Sequence, residues 1–224
     1  MKKVIYLLNI DNYAPEITEI TYPLIERYAH KIGGAIDCIT TRCFPGWPPV
    51  YEKLQIRERA QENKADWHIY IDSDTLIHPD FFDVTEHLHK DTVCHNGSDM
   101  AGNRWRYDDY FRRDGRHIGS CNWCTIASDW CLDLWTPLDI TLGEAVKNIF
   151  PIKSELDSVI TPEHLIDDYT LSRNIARYGL KFTTIKKIQT DLTDVGNYLW
   201  HEYTKTTEEK VVDMRQVLKD WNLL

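Results

Sequence analysis

Two aspartates one residue apart, Asp72 and Asp74 with Ser73 between them, carry the strongest chemical signal in this chain. They follow the apolar run Trp67-His68-Ile69-Tyr70-Ile71 and precede Thr75-Leu76-Ile77 and Pro79. A short apolar run bounded this way reads as a buried strand. Carboxylates at the end of such a strand stand where open α/β sheets bind their ligands, beyond the carboxyl ends of the strands. Acids buried there are costly unless paired or bound to a cation. Two hard oxygen donors suit Mg²⁺ or Mn²⁺ shared with a phosphate-bearing substrate. The bland alternative is an Asx turn with solvated acids, which the apolar lead-in disfavours. A second acidic pair, Asp167-Asp168, falls early in a helical stretch. It serves there either as a favourable charge at a helix N-terminus or as a general base.

The elements that must hold these acids alternate in type. Lys3 to Ile10 reads as a strand and Ala14 to Ile32 as a helix, with Pro23 expected to kink or split it and Gly33-Gly34 to close it. A second strand spans Ala35 to Thr41. A Pro/Gly loop from Phe44 to Pro49 leads to a charged helix, Val50 to Lys64, and then to the strand Ala65 to Ile71 that delivers the acid pair. A short helix is expected from Pro79 to Leu88, a strand from Ser120 to Ala127 and a helix through Trp135. Pro162 to Tyr178 is a helix closed by Gly179, Leu180 to Ile185 a strand, and Glu208 to Trp221 an amphipathic helix with Val211, Leu218 and Trp221 on one face. Strict alternation in the first half predicts an α/β fold with a mostly parallel sheet flanked by helices. The 224 residues suit a single domain. Its nucleotide-binding half is expected to run to about residue 95 and its acceptor half from about 96 to 224.

Composition narrows the partners. A hydrophobic fraction of 42% with 27% charged residues is that of an ordinary globular protein. The net charge of −9 argues against nucleic acid or an anionic membrane as the main partner. No run approaches the ~18 apolar residues of a membrane span. The apolar start stops at Asn9 and Asp11 without a small-residue cleavage site, so a first strand, a cytoplasmic location and reduced cysteines are expected. Cys121 and Cys124 have metal-ligand spacing, but a zinc site would need a second pair, and strand packing is the better reading. Asn96-Gly97-Ser98 reads as a turn rather than a glycosylated site.

With Asp72-Ser73-Asp74 placed after a helix and an apolar strand, the chain resembles the DxD-containing nucleotide-sugar glycosyltransferases of the GT-A fold. Tyr51 to Arg57 resembles the family helix beneath the donor diphosphate. Ile166-Asp167-Asp168-Tyr169-Thr170-Leu171-Ser172 followed by Gly179-Leu180-Lys181 resembles the family's acidic pair, Leu-Ser and Gly-Leu-Lys segment. His201 in Leu199-Trp200-His201-Glu202 resembles a C-terminal histidine that completes the metal site. The likeness spans roughly residues 3 to 205, and the compact length is similar to that of glycosyltransferase domains of large algal DNA viruses. It implies a metal-dependent, hexosyltransferase-type enzyme that moves a sugar from a UDP-sugar donor to a hydroxyl of a glycan or small acceptor. Asp72, Asp74 and His201 would hold Mn²⁺ or Mg²⁺. Asp72 and Ser73 would also meet the donor, with Asn9, Asp11 and Tyr13 at its base and ribose, Lys53 and Arg57 at its phosphates, and Ser120 and Asn122 at its sugar. Asp168, with Asp167 as substitute, would be the base. The aromatic and charged stretch Arg104 to Arg113 suits an acceptor site.

Two other readings compete. A haloacid-dehalogenase-type phosphatase also has an apolar strand ending in Asp-x-Asp, but that family starts near its motif, whereas a full βαβα unit precedes Asp72 here. A non-catalytic sugar-nucleotide-binding module would keep the fold without turnover. The acids at Asp72, Asp74 and Asp168 argue for an enzyme.

Overall fold

The computed structural model describes residues 1–96, 122–150 and 160–224. Its strands are β1 (Lys3–Leu8), β2 (Gly34–Ile39), β3 (Trp67–Ile71), β4 (Leu76–Ile77), β5 (Thr92–His95), β6 (Cys124–Ser128), β7 (Lys181–Thr184) and β8 (Leu199–Trp200). Its helices are α1 (Pro15–Ile32), α2 (Ile56–Asn63), α3 (Leu142–Val146), α4 (Ile166–Tyr178), α5 (Ile185–Asp191) and α6 (Thr207–Asp220). Six strands form one sheet in the order β2-β1-β3-β6-β5-β7, and β4 and β8 form a separate ribbon. β1 runs parallel to both β2 and β3, and β5 runs parallel to β7. β6 runs antiparallel to β3 and β5, so one reversed strand sits in a mostly parallel sheet.

Side chains alternate across the sheet, and two cores result. Val4, Tyr6 and Tyr70 face a layer that contains Tyr51, Leu54, Trp135 and the α4 residues Tyr169, Leu171 and Ile175. Ile5, Leu7, Ile69 and Ile71 face α1 through Ile25, Tyr28, Ala29 and Ile32, and α5 through Ile185 and Ile188. A third cluster joins Ile17 of α1, Leu76 of β4, and Met214 and Leu218 of α6. That cluster docks the C-terminal helix beside the strand end that carries the acids.

Four elements differ from the sequence expectation. α1 runs unbroken through Pro23, whose side chain is exposed, as is Glu19 four residues earlier. The carbonyl that proline leaves unpaired therefore lies on the solvent face, where water can satisfy it. The expected helix from Val50 is a tight 3₁₀ segment, Pro49–Gln55, that continues into α2. Glu52 explains this: fully buried, it accepts from the backbone N–H groups of Cys43 and Phe44 and from Arg42 and Gln55. These bonds fix the preceding loop against the segment, so Glu52 belongs to the interior rather than to a solvated helix face. The expected helices around Pro79–Leu88 and before Trp135 are short 3₁₀ turns at Val84–His87 and Leu132–Trp135. Cys38, Cys43, Cys94, Cys124 and Cys131 are free thiols, and burial raises that of Cys124 to about 12. Cys121, Ser120 and the Arg104–Arg113 stretch lie outside the described residues.

Candidate active site

β3 ends at Ile71, and the turn beyond it is closed by Thr75 N donating to Asp72 O at 3.0 Å. Asp72 keeps the facing of Tyr70, two residues back. Tyr70 donates its hydroxyl to Asp72 Oδ1, and the Lys53 ammonium lies 3.6 Å from the same oxygen. Ser73 is tied down from both sides: its Oγ donates to Leu8 O, and its carbonyl accepts from Thr21 Oγ1 at 2.6 Å. Asp74 then emerges on the side of the ribbon.

The ribbon sets the third residue in place. β4 and β8 pair antiparallel with Leu76 opposite Trp200, and His78 N donates to Tyr198 O at 2.7 Å. One residue past Trp200, His201 falls beside Asp74. Its Nε2 lies 3.2 Å from Asp74 Oδ1 and 3.5 Å from Asp72 Oδ2, and its ring stacks on Trp123 with centroids 5.1 Å apart. One donor atom from each of Asp72, Asp74 and His201 lies within 4.8 Å of the others. Two carboxylates and an imidazole on a shared focus could hold a divalent metal ion.

Charge shapes this end of the site. Burial works against the charged form of Asp74, but His201 and Lys210 hold its carboxyl well below the usual range; Lys210 Nζ sits 2.5 Å from Asp74 Oδ2. Burial likewise opposes a charged His201, and Asp74 and then Asp72 outweigh it, so its pKa is raised. Desolvation raises the Tyr13 hydroxyl, as do Asp74, to which it is hydrogen-bonded, and Asp72.

The second acidic pair opens α4. Asp167 is paired with Lys53, which is 1% exposed. Lys53 also lies 4.2 Å from the Tyr70 ring centroid. Burial works against its charge, yet Asp167 and then Asp72 raise its pKa above the ordinary lysine value. Asp168 Oδ1 accepts from Asn122 N at 2.7 Å and Asn122 Nδ2 at 3.0 Å, while Asn122 Oδ1 accepts from Thr125 at 3.1 Å. Both acidic pairs line one cavity of about 1000 Å³. Leu8, Ile10 and Tyr13 form one wall, Pro48, Pro49 and Val50 another, and Lys205 and Lys210 a third.

Of the residues singled out in the sequence, Tyr13, Asp72, Ser73, Asp74, Asn122, Asp167, Asp168 and His201 meet at this cavity. Lys53 lies behind its lining, between Asp72 and Asp167. Arg57 is directed elsewhere and pairs with Asp133 at 3.2 Å on a partly exposed surface. Lys53 lies in the 3₁₀ segment and Arg57 in α2, and the two side chains meet different partners. Asn9 and Asp11 are not among the cavity's lining residues; Asn9 N donates to Ile39 O at 2.9 Å, and Asp11 is exposed with φ 55°. Lys210, Lys205, Trp123 and Tyr70 went unnoticed in the sequence. Lys210 lies 136 residues from its acid partner, and no local pattern reports a contact of that range.

No family model matches this chain, nor does any curated protein. Solved structures do. One match, with a TM-score of 0.53, is a glycosyltransferase involved in the glycosylation of the major capsid of PBCV-1. It covers 96% of this chain and 100% of its own at 10% identity. The likeness, with the six-stranded sheet and its single reversed strand, shows a mixed α/β domain with the GT-A fold. Among the described residues no helix is long and apolar enough to cross a membrane.

Proposed function

We propose that this chain is a metal-dependent glycosyltransferase of the hexosyltransferase type. It would take a nucleotide sugar, UDP-linked by preference, and pass the sugar to a hydroxyl of a glycan or smaller acceptor. One observation carries the reading: the neighbouring Asp72 and Asp74 and the sequence-distant His201 converge on a single point in the wall of a cavity large enough for a sugar nucleotide. The glycosyltransferase likeness of the fold supports it and favours it over the phosphatase reading.

Asp72, Asp74 and His201 would hold Mn²⁺, or Mg²⁺ less readily given the imidazole. When bound, the ion supplies Lewis-acid stabilisation of the departing nucleoside diphosphate. The chain's own residues do the rest. Tyr70 and Lys53 fix the Asp72 carboxylate, and Trp123 holds the plane of the His201 ring. Tyr13 with the apolar side chains of Leu8 and Ile10 offers a surface for the base. Asn122 orients Asp168, which takes the proton of the acceptor hydroxyl as that oxygen bonds to the sugar and the bond from sugar to phosphate breaks. Asp167 is occupied by Lys53 and serves to hold that lysine in place.

Calorimetric titration of UDP with Mn²⁺ into wild type and Asp74→Ala tests the assignment. Mn²⁺-dependent binding should vanish in the variant. Unchanged affinity would remove the metal site, and binding without any turnover across a broad donor and acceptor screen would favour a non-catalytic module.

A further inference from the structure

We propose that Lys210 is an internal cation that competes with the metal for Asp74 and is released when the nucleotide donor enters, so that metal and donor load together. The inference rests on the metal-site reading above. Lys210 Nζ sits 2.5 Å from Asp74 Oδ2, while Asp74 Oδ1 faces His201. Both oxygens of the acid are therefore engaged by groups of the chain itself. The contact is well shielded, with side-chain exposures of 10% for Lys210 and 9% for Asp74. A dication held by Asp72, Asp74 and His201 would stand beside this ammonium, and like charges in a poorly solvated site repel strongly.

The ammonium has somewhere to go. Lys210 lies on the first turns of α6 and lines the same cavity as Asp74, with Tyr203, Lys205 and Thr207 alongside. α6 is anchored by Met214 and Leu218 against Ile17 and Leu76, so the backbone of Lys210 stays in place while its four-carbon side chain can turn from the acid towards the cavity. A diphosphate entering that cavity offers a new anionic partner. It would draw Lys210 away from Asp74 and leave an oxygen of the acid open to the metal. Lys53, the other lysine near the acid pair, cannot act this way because it is closed in by Asp167 and Tyr70 behind the lining.

Electron paramagnetic resonance of unbound Mn²⁺ reads metal affinity directly, without turnover. It should be measured on wild type, Lys210→Met, Lys210→Arg and Asp74→Asn, each alone and with UDP. Alone, Lys210→Met should bind Mn²⁺ about tenfold tighter than wild type or more, and Lys210→Arg should stay close to wild type. UDP should raise the Mn²⁺ affinity of wild type more than that of Lys210→Met, because the coupling between two ligands is reciprocal and this variant lacks the group that links them. Equal or weaker Mn²⁺ binding by folded Lys210→Met, or an equal UDP effect in both proteins, would overturn the proposal while leaving the metal site intact. Absence of Mn²⁺ binding in wild type with UDP, or binding untouched by Asp74→Asn, would instead bring down the metal reading. Should Lys210→Met melt far below wild type, Lys210→Gln is held to the same expectations.

Discussion

The two acidic pairs of the cavity are made of the same residue and are treated in opposite ways. At the strand end, Asp74 meets Lys210 and His201, both of which line the cavity. At the start of α4, Asp167 meets a lysine closed in on every side by Tyr70, Asp72 and Asn122 O, and Asp168 meets a backbone N–H. Lys210 reaches the cavity, where it is proposed to yield to an incoming ligand, whereas Lys53 is sealed behind the lining. The reach of the partner lysine is what separates Asp74 from Asp167.

Four variants test that contrast. The largest effect should come from Asp168→Asn. Removing a positioned base costs about 10² to 10⁴ in rate, so turnover should fall by that factor while the calorimetric donor affinity stays within about threefold. Equal losses in both would assign Asp168 to binding rather than to proton transfer. Next comes stability. Lys53→Met leaves Asp167 without a partner that is 1% exposed, and breaking a buried pair in this way costs about 3–5 kcal/mol. Lys210→Met also opens a shielded pair but leaves His201 against Asp74, so its cost should be the smaller of the two. Urea denaturation of both variants gives the comparison, and similar losses would show that both lysines are structural. The smallest effect belongs to Trp123→Leu. Loss of the stack frees the His201 ring without removing a ligand, so Mn²⁺ affinity in the presence of UDP should fall by about tenfold or less. No change would show that the β4–β8 ribbon alone positions the imidazole.

Much of this was legible in the sequence, and the exceptions share a cause. β1, α1, β2, β3 and α4 announce themselves through apolar periodicity and through Gly33 and Gly179, both at positive φ as C-caps. The Asp72-Ser73-Asp74 turn was visible because a buried run leads directly into it. Glu52 lies in a charged stretch whose pattern conceals an internal carboxylate, because its partners lie in the preceding loop. The pairing of Arg57 with Asp133 and that of Lys210 with Asp74 likewise join positions far apart in sequence, and neither helix gives a hint of its partner. Periodicity reports which face of an element is buried. It does not report which distant polar group that face will meet.

The β4–β8 ribbon bears on how the site is completed during synthesis and lost to proteolysis. All six described strands of the main sheet have been synthesised by Thr184, before the ribbon's second strand or His201 exists. A chain halted there would carry the main sheet's strands and its two aspartates without the imidazole, α5 or α6. Val195, 99% exposed between α5 and β8, marks where a protease could separate one from the other.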